Sequence, residues 1–112
     1  AMPVVAAYNE TDWSPEQGAK TVAGGISSAS PPRMLQSVAV LKATDGVPVA
    51  VDDADILRWQ RLLAETEGLY GEPTSAAAFA GLEELVKLGE IGEDDTVLVP
   101  ITGMGLKDVP PD

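Results

Sequence analysis

The stretch Thr96-Val97-Leu98-Val99-Pro100-Ile101, broken at once by Thr102-Gly103-Met104-Gly105, decides how the fold is read. Its apolar, largely β-branched composition suits a strand buried on both faces, and the glycines end it. Upstream, Glu72-Pro73-Thr74-Ser75 opens a helix, with proline in its first turn. Ala76, Ala77 and Ala78 make its first half small, Leu82, Leu85, Val86 and Leu88 supply bulk, and Gly89 and Gly92 stop it. Before that, Asp52 or Asp53 caps a helix with Ile56, Trp59 and Leu63 facing inward, Leu62 beside them, and Gly68 at its end. Val47 to Val51 reads as a short strand. Ser30-Pro31-Pro32 starts a helix carrying Met34, Leu35, Val38 and Leu41 on one face and ending at Asp45-Gly46. Residues 3–8, Pro-Val-Val-Ala-Ala-Tyr, read as a further buried strand.

Strands separated by helices predict an α/β fold: a partial three-layer arrangement of about three mainly parallel strands and about three helices. Three strands are few for such a sheet, so the chain is either a tiny α/β domain or the end of a larger one. Residues 9–30 read as one long loop with a turn of helix, a length that in a compact domain is functional or supported by a partner. Residues 109–112 form a proline-rich, loose tail, and Ala1 before Met2 reads as a tag remnant.

Composition narrows the chemistry. The 112 residues are 45% hydrophobic and 4% aromatic, enough for one domain that buries a modest fraction of its surface. Seven basic residues face eighteen acidic ones, a net charge of −11, which disfavours nucleic acid and anionic membranes as partners. No apolar run is long enough to span a bilayer, and no secretory signal precedes the first strand. Cysteine and histidine are both absent. That rules out disulfides, thiolate nucleophiles and Ser-His-Asp triads within these residues and leaves no Cys or His for zinc; no metal site is expected. The lack of cysteine suits a cytoplasmic protein.

In open α/β sheets, ligands gather at the carboxyl ends of strands. Thr102, at the end of the last strand, can turn its hydroxyl into a crevice, while Gly103 and Gly105 let the backbone approach a flat ligand and take positive φ if required. The same spacing also suits a plain strand-ending turn. The helix start at Glu72-Pro73-Thr74-Ser75 offers unpaired N–H groups, and the alanines behind it allow close packing, although capping alone explains both.

Taken together, these segments resemble a known family. Glu67-Gly68-Leu69-Tyr70-Gly71-Glu72-Pro73-Thr74-Ser75-Ala76-Ala77-Ala78, then Ala80-Gly81-Leu82, then Thr102-Gly103-Met104-Gly105-Leu106-Lys107-Asp108 are similar to the C-terminal signature of threonine synthases, which are fold type II pyridoxal-phosphate enzymes. Thr21-Val22-Ala23-Gly24-Gly25-Ile26 and Val51-Asp52-Asp53-Ala54-Asp55-Ile56-Leu57 resemble upstream family segments, so the likeness spans about residues 20–108. It implies a piece of the large cofactor domain, with pyridoxal phosphate as the parent enzyme's cofactor. Thr102 would meet the ring nitrogen, with Gly103 beside it, and Glu72 and Ser75 would lie near the ring edge. A neutral hydroxyl partner tempers the electron sink and suits elimination and replacement. The implied parent reaction converts O-phosphohomoserine to threonine; a serine/threonine dehydratase-like enzyme is the alternative within the family, and a non-catalytic acidic α/β binding module the alternative outside it.

The family's Schiff-base lysine sits in an S-F-K-D-R type motif, which does not occur here, and neither does its glycine-rich phosphate cup. Lys20, Lys42, Lys87 and Lys107 are the lysines present, none in an apolar pocket that would free its amine. No catalytic residue is therefore expected in this chain, which should be inactive alone and should not hold the cofactor. Its implied partners are the rest of the parent polypeptide and, through it, an amino-acid substrate. Uncovered strand and helix faces should also drive self-association as a homo-oligomer. Met104 stands where the family often has His or Ser, and residues 27–32 depart from its substrate-side segment, which leaves the substrate open.

Overall fold

The computed structural model describes residues 2–15 and 20–108. The expectations for Ala1, for the loose tail at 109–112 and for part of the long loop therefore lie outside the described residues. The chain divides into two compact units, Ala1–Thr21 with Gly25–Ala50, and Val22–Gly24 with Val51–Asp112.

In the first unit, Pro3–Tyr8 is a helix, α1, and not the strand its apolar run predicts. Pro3 fits the first turn, where a missing N–H costs nothing. The backbone is then satisfied locally, Ala6 N–H reaching Met2 O at 3.0 Å and Asn9 N–H reaching Val5 O at 3.0 Å. Helix α2, Met34–Ala43, packs against α1. It starts later than Ser30-Pro31-Pro32 suggests, because each proline biases its predecessor away from helical geometry. Arg33 takes the cap position without a side-chain bond. Met34, Val38 and Leu41 are half-buried, but Leu35 is 75% exposed, so the apolar face is narrower than its sequence implies. Lys42 lies on its last turn, 5.8 Å from the Tyr8 ring centroid and 3.5 Å from a Glu10 carboxylate oxygen.

The second unit is built on α3, Asp53–Glu67, packed against α4, Pro73–Lys87. Ile56, Gln60 and Leu63 are the buried positions of α3, one helical stripe at spacings of four and three. Trp59 sits beside that stripe, stacking on Phe79 with centroids 6.0 Å apart. The face α4 buries is its small one: Ser75, Ala76, Ala77, Ala80 and Gly81. Ala23 joins Ile56, Ala76, Ala77 and Ala80 in the core. The bulk expected from Val86 and Leu88 points outward instead, at 52% and 64% exposure. Gly68 ends α3 at φ 67°, a left-handed turn that needs glycine, and lets Leu69 N–H reach back to Leu63 O at 3.2 Å. At the helix–helix seam, Glu83 accepts from the Trp59 indole N–H at 2.8 Å and pairs with Arg58, which also holds Asp55 at 3.0 Å.

The α/β expectation is thus corrected: the described residues form helices and 3-10 turns, and no sheet. Residues 3–8 are helical, and residues 47–51 and 96–101 follow neither helix nor strand. A strand exists only through hydrogen bonds to a neighbour. Residues 96–101 have the composition for one, but they form no strand with any described segment, and Leu98 is 91% exposed. The sole ladder-like contact among the described residues is an isolated antiparallel bridge, Gly71 to Met104.

Candidate functional site

That bridge is where the two motifs singled out in the sequence meet. Glu72 N–H donates to Gly103 O at 2.9 Å, and Gly105 N–H donates to Tyr70 O at 2.8 Å. The segment entering α4 and the turn after Ile101 are thereby zipped together. From α3, the buried Gln60 amide donates to Gly71 O at 2.8 Å and anchors the α4 side of the zipper.

Ser75 lies at the centre of the junction and is 3% exposed. Its Oγ receives Thr102 N–H at 3.0 Å and Gly103 N–H at 3.3 Å, and lies 3.2 Å from Thr102 Oγ1. Thr102 itself is exposed, beside the buried Ser75. Glu72 completes the group: its side chain, 14% exposed, pairs with Lys107 at 2.8 Å. The hydrogen bond to Glu72, reinforced by the carboxylate's charge, raises the Lys107 ammonium above its ordinary range. Thr102, Gly103, Glu72 and Ser75, drawn from two segments about thirty positions apart, are therefore assembled in one place.

The glycines of the turn are needed for space. Positive φ among the described glycines occurs at Gly68 and Gly89, and at neither Gly103 nor Gly105. A Cβ at Gly105 would stand 2.7 and 2.8 Å from Tyr70 ring carbons and 2.9 Å from Gly71 O. One at Gly103 would stand 2.7 Å from the Glu72 carboxyl carbon and 3.1 Å from Lys107 Nζ. The close approach that these glycines allow is to Tyr70, Gly71 and Glu72 of the same chain, whereas the sequence expectation was approach to a flat ligand.

Three contributors were not among the predicted site residues. Gln60 falls on the same stripe as Ile56 and Leu63, so its spacing marked it, but an amide there is easily passed over for an apolar neighbour. Tyr70 gave no signal beyond its place in the motif. Lys107, considered in the sequence as a lysine unsuited to imine formation, is the partner that holds Glu72. Among the described residues no cluster of metal-binding side chains occurs, and no helix is long and apolar enough to cross a membrane.

The chain is similar to threonine synthases along most of its length. The threonine synthase of Methanosarcina acetivorans is 40% identical over 95 residues, covering 85% of this chain and 24% of the relative. That of Methanocaldococcus jannaschii is 34% identical over 110 residues, covering 96% and 27%. That of a Bacillus species is 38% identical over 89 residues, covering 80% and 25%. The chain spans about a quarter of the length of these curated relatives. A family model described as pyridoxal-phosphate dependent enzyme matches residues 1–103, a span that includes Glu72, Ser75, Thr102 and Gly103. By that match and these relatives, the chain belongs to the pyridoxal-phosphate dependent enzyme family.

Proposed function

We propose that these residues form one wall of the cofactor site in a threonine synthase-like enzyme that converts O-phosphohomoserine to threonine and phosphate, with the imine-forming lysine and the phosphate cup supplied by the rest of the polypeptide. The observation that carries this reading is the convergence of Thr102, Gly103, Ser75 and Glu72 at one hydrogen-bonded junction. Pyridoxal phosphate, when bound, supplies the electron sink for elimination and replacement.

The donor set fits one edge of such a group. Thr102, an exposed residue on a turn held by Ser75, offers a hydroxyl suited to a ring nitrogen. Glu72 is held near that edge with its charge offset by Lys107. Nothing in this set binds a phosphate or forms an imine, so the 112-residue chain alone is proposed to be inactive. Its acidity and lack of cysteine suit a cytoplasmic enzyme, and its exposed apolar side chains suit burial against the remaining polypeptide or a second copy.

The test uses the complete polypeptide. It should release phosphate from O-phosphohomoserine and form threonine, and Thr102→Ala should slow turnover and alter the cofactor's absorption. The 112-residue chain mixed with pyridoxal phosphate should give no stable, borohydride-reducible adduct at a single lysine. An unchanged spectrum and rate for Thr102→Ala would remove Thr102's role, and a single modified lysine would remove the division of labour.

A further inference from the structure

A serine hydroxyl has one proton to give and two lone pairs to fill. At Ser75 both lone pairs are taken, by Thr102 N–H at 3.0 Å and Gly103 N–H at 3.3 Å. Its own proton must then be donated. Thr102 Oγ1 lies at 3.2 Å and Gly103 O at 3.5 Å, and the carbonyl already accepts Glu72 N–H at 2.9 Å. The hydroxyl of Thr102 is the nearer and emptier acceptor. Ser75 is 3% exposed, so water does not compete for this bond. Once Thr102 accepts from Ser75, its own proton has to point away from the pair, towards the exposed side.

We infer that Ser75 is a positioning residue that orients the Thr102 hydroxyl as a hydrogen-bond donor, matched to an unprotonated ring nitrogen and mismatched to a protonated one. The inference rests on the reading that Thr102 meets the cofactor's ring nitrogen, and it assigns Ser75 a role behind Thr102 instead of beside the ring. Without Ser75 the Thr102 hydroxyl rotates freely and can accept as readily as donate.

The experiment uses the complete enzyme loaded with pyridoxal phosphate carrying nitrogen-15 in the ring, and reads that nitrogen's chemical shift by NMR across neutral pH. Thr102→Val removes the donor outright, and Ser75→Ala removes its orientation. Both should move the signal in the same direction, with the double variant moving it no further than Thr102→Val alone. Cofactor affinity should fall about 2- to 10-fold in each, the range for one hydrogen bond. Ser75→Cys fills the same buried space with a weak donor and acceptor, and should give the same shift if Ser75→Ala fails to fold. A signal that moves in Thr102→Val but stays put in Ser75→Ala and Ser75→Cys overturns the role of Ser75 and leaves the Thr102 contact standing. A signal unmoved by Thr102→Val removes the contact itself, and the inference with it.

Discussion

Replacing Gly105 by alanine isolates the packing of the junction from every other feature of the chain. The new Cβ would stand 2.7 and 2.8 Å from Tyr70 ring carbons and 2.9 Å from Gly71 O, all well inside ordinary contact. Relief requires the turn to withdraw from the segment entering α4. Inserting a carbon into a packed site costs roughly 1–3 kcal/mol. Withdrawal also strains the bonds from Gly105 N–H to Tyr70 O, at 2.8 Å, and from Glu72 N–H to Gly103 O, at 2.9 Å. Each contributes about 0.5–1.5 kcal/mol net. A loss of about 2–4 kcal/mol is therefore expected. Urea unfolding reads it directly, in a Trp13→Phe background so that Trp59, stacked on Phe79, reports on the second unit. With a slope of about 1–3 kcal/mol per molar, the midpoint should fall by roughly 0.7–4 M. Tyr70→Leu should recover part of the loss in Gly105→Ala, since it removes the ring carbons but not the Gly71 carbonyl. A midpoint for Gly105→Ala within about 0.2 M of the parent, with no coupling to Tyr70→Leu in a double-mutant cycle, would refute the steric account.

The remaining expectations concern the supports of the junction. Gln60→Leu leaves the buried Gly71 carbonyl without its amide donor and should cost about 1–3 kcal/mol in the same unfolding assay, while an unchanged midpoint would mean that the bond is dispensable. Gly68 holds φ 67° with open space around its would-be Cβ, so Gly68→Ala carries only backbone strain, about 1–2 kcal/mol, and Gly68→Asn should melt between the two; equal melting of all three would dismiss the strain. Hydrogen bonds from Trp59 and then Arg58 hold the Glu83 carboxyl below its ordinary range. Its contribution is complete above that range and is lost as pH falls through the lowered value. Glu83→Gln should accordingly flatten the acid limb of stability against pH, and parallel acid limbs would show that Glu83 does not supply it.

How much was legible in the sequence divides along the line between local and non-local bonding. The bounds of α3 and α4 could be read because their signals are local: Asp52 and Glu72 at the caps, Pro73 in a first turn, Gly68 at a left-handed stop. The strands could not, because periodicity describes faces and not partners. Residues 3–8 satisfy an apolar-run template for a strand, yet six residues led by proline are as well served by a helix that needs no neighbour. The residues Thr102, Gly103, Glu72 and Ser75, singled out in the sequence, do come together in space. What could not be read was their order of depth. Serine at a helix start looks like a surface cap, and only the packing of Ala76, Ala77 and Ala80 against α3 and Ala23 draws it inside.

That order of depth follows from the small face of α4. With alanines at 76, 77 and 80, the helix has little side-chain bulk to hold its neighbours away, and its first turn comes close enough for a short serine hydroxyl to meet two backbone N–H groups. A larger residue at 76 would hold α3 and α4 apart by a fraction of a helix diameter, and Gln60 would then lose its reach to Gly71. The same economy of size recurs at Gly103 and Gly105, where a single methyl would collide with Glu72 or Tyr70. The alanines and the glycines thus answer one requirement from opposite sides. The turn carrying Thr102 must lie almost on the backbone of the segment entering α4, because only there does a buried serine hydroxyl bond both to the turn's amides and to the side chain that faces outward.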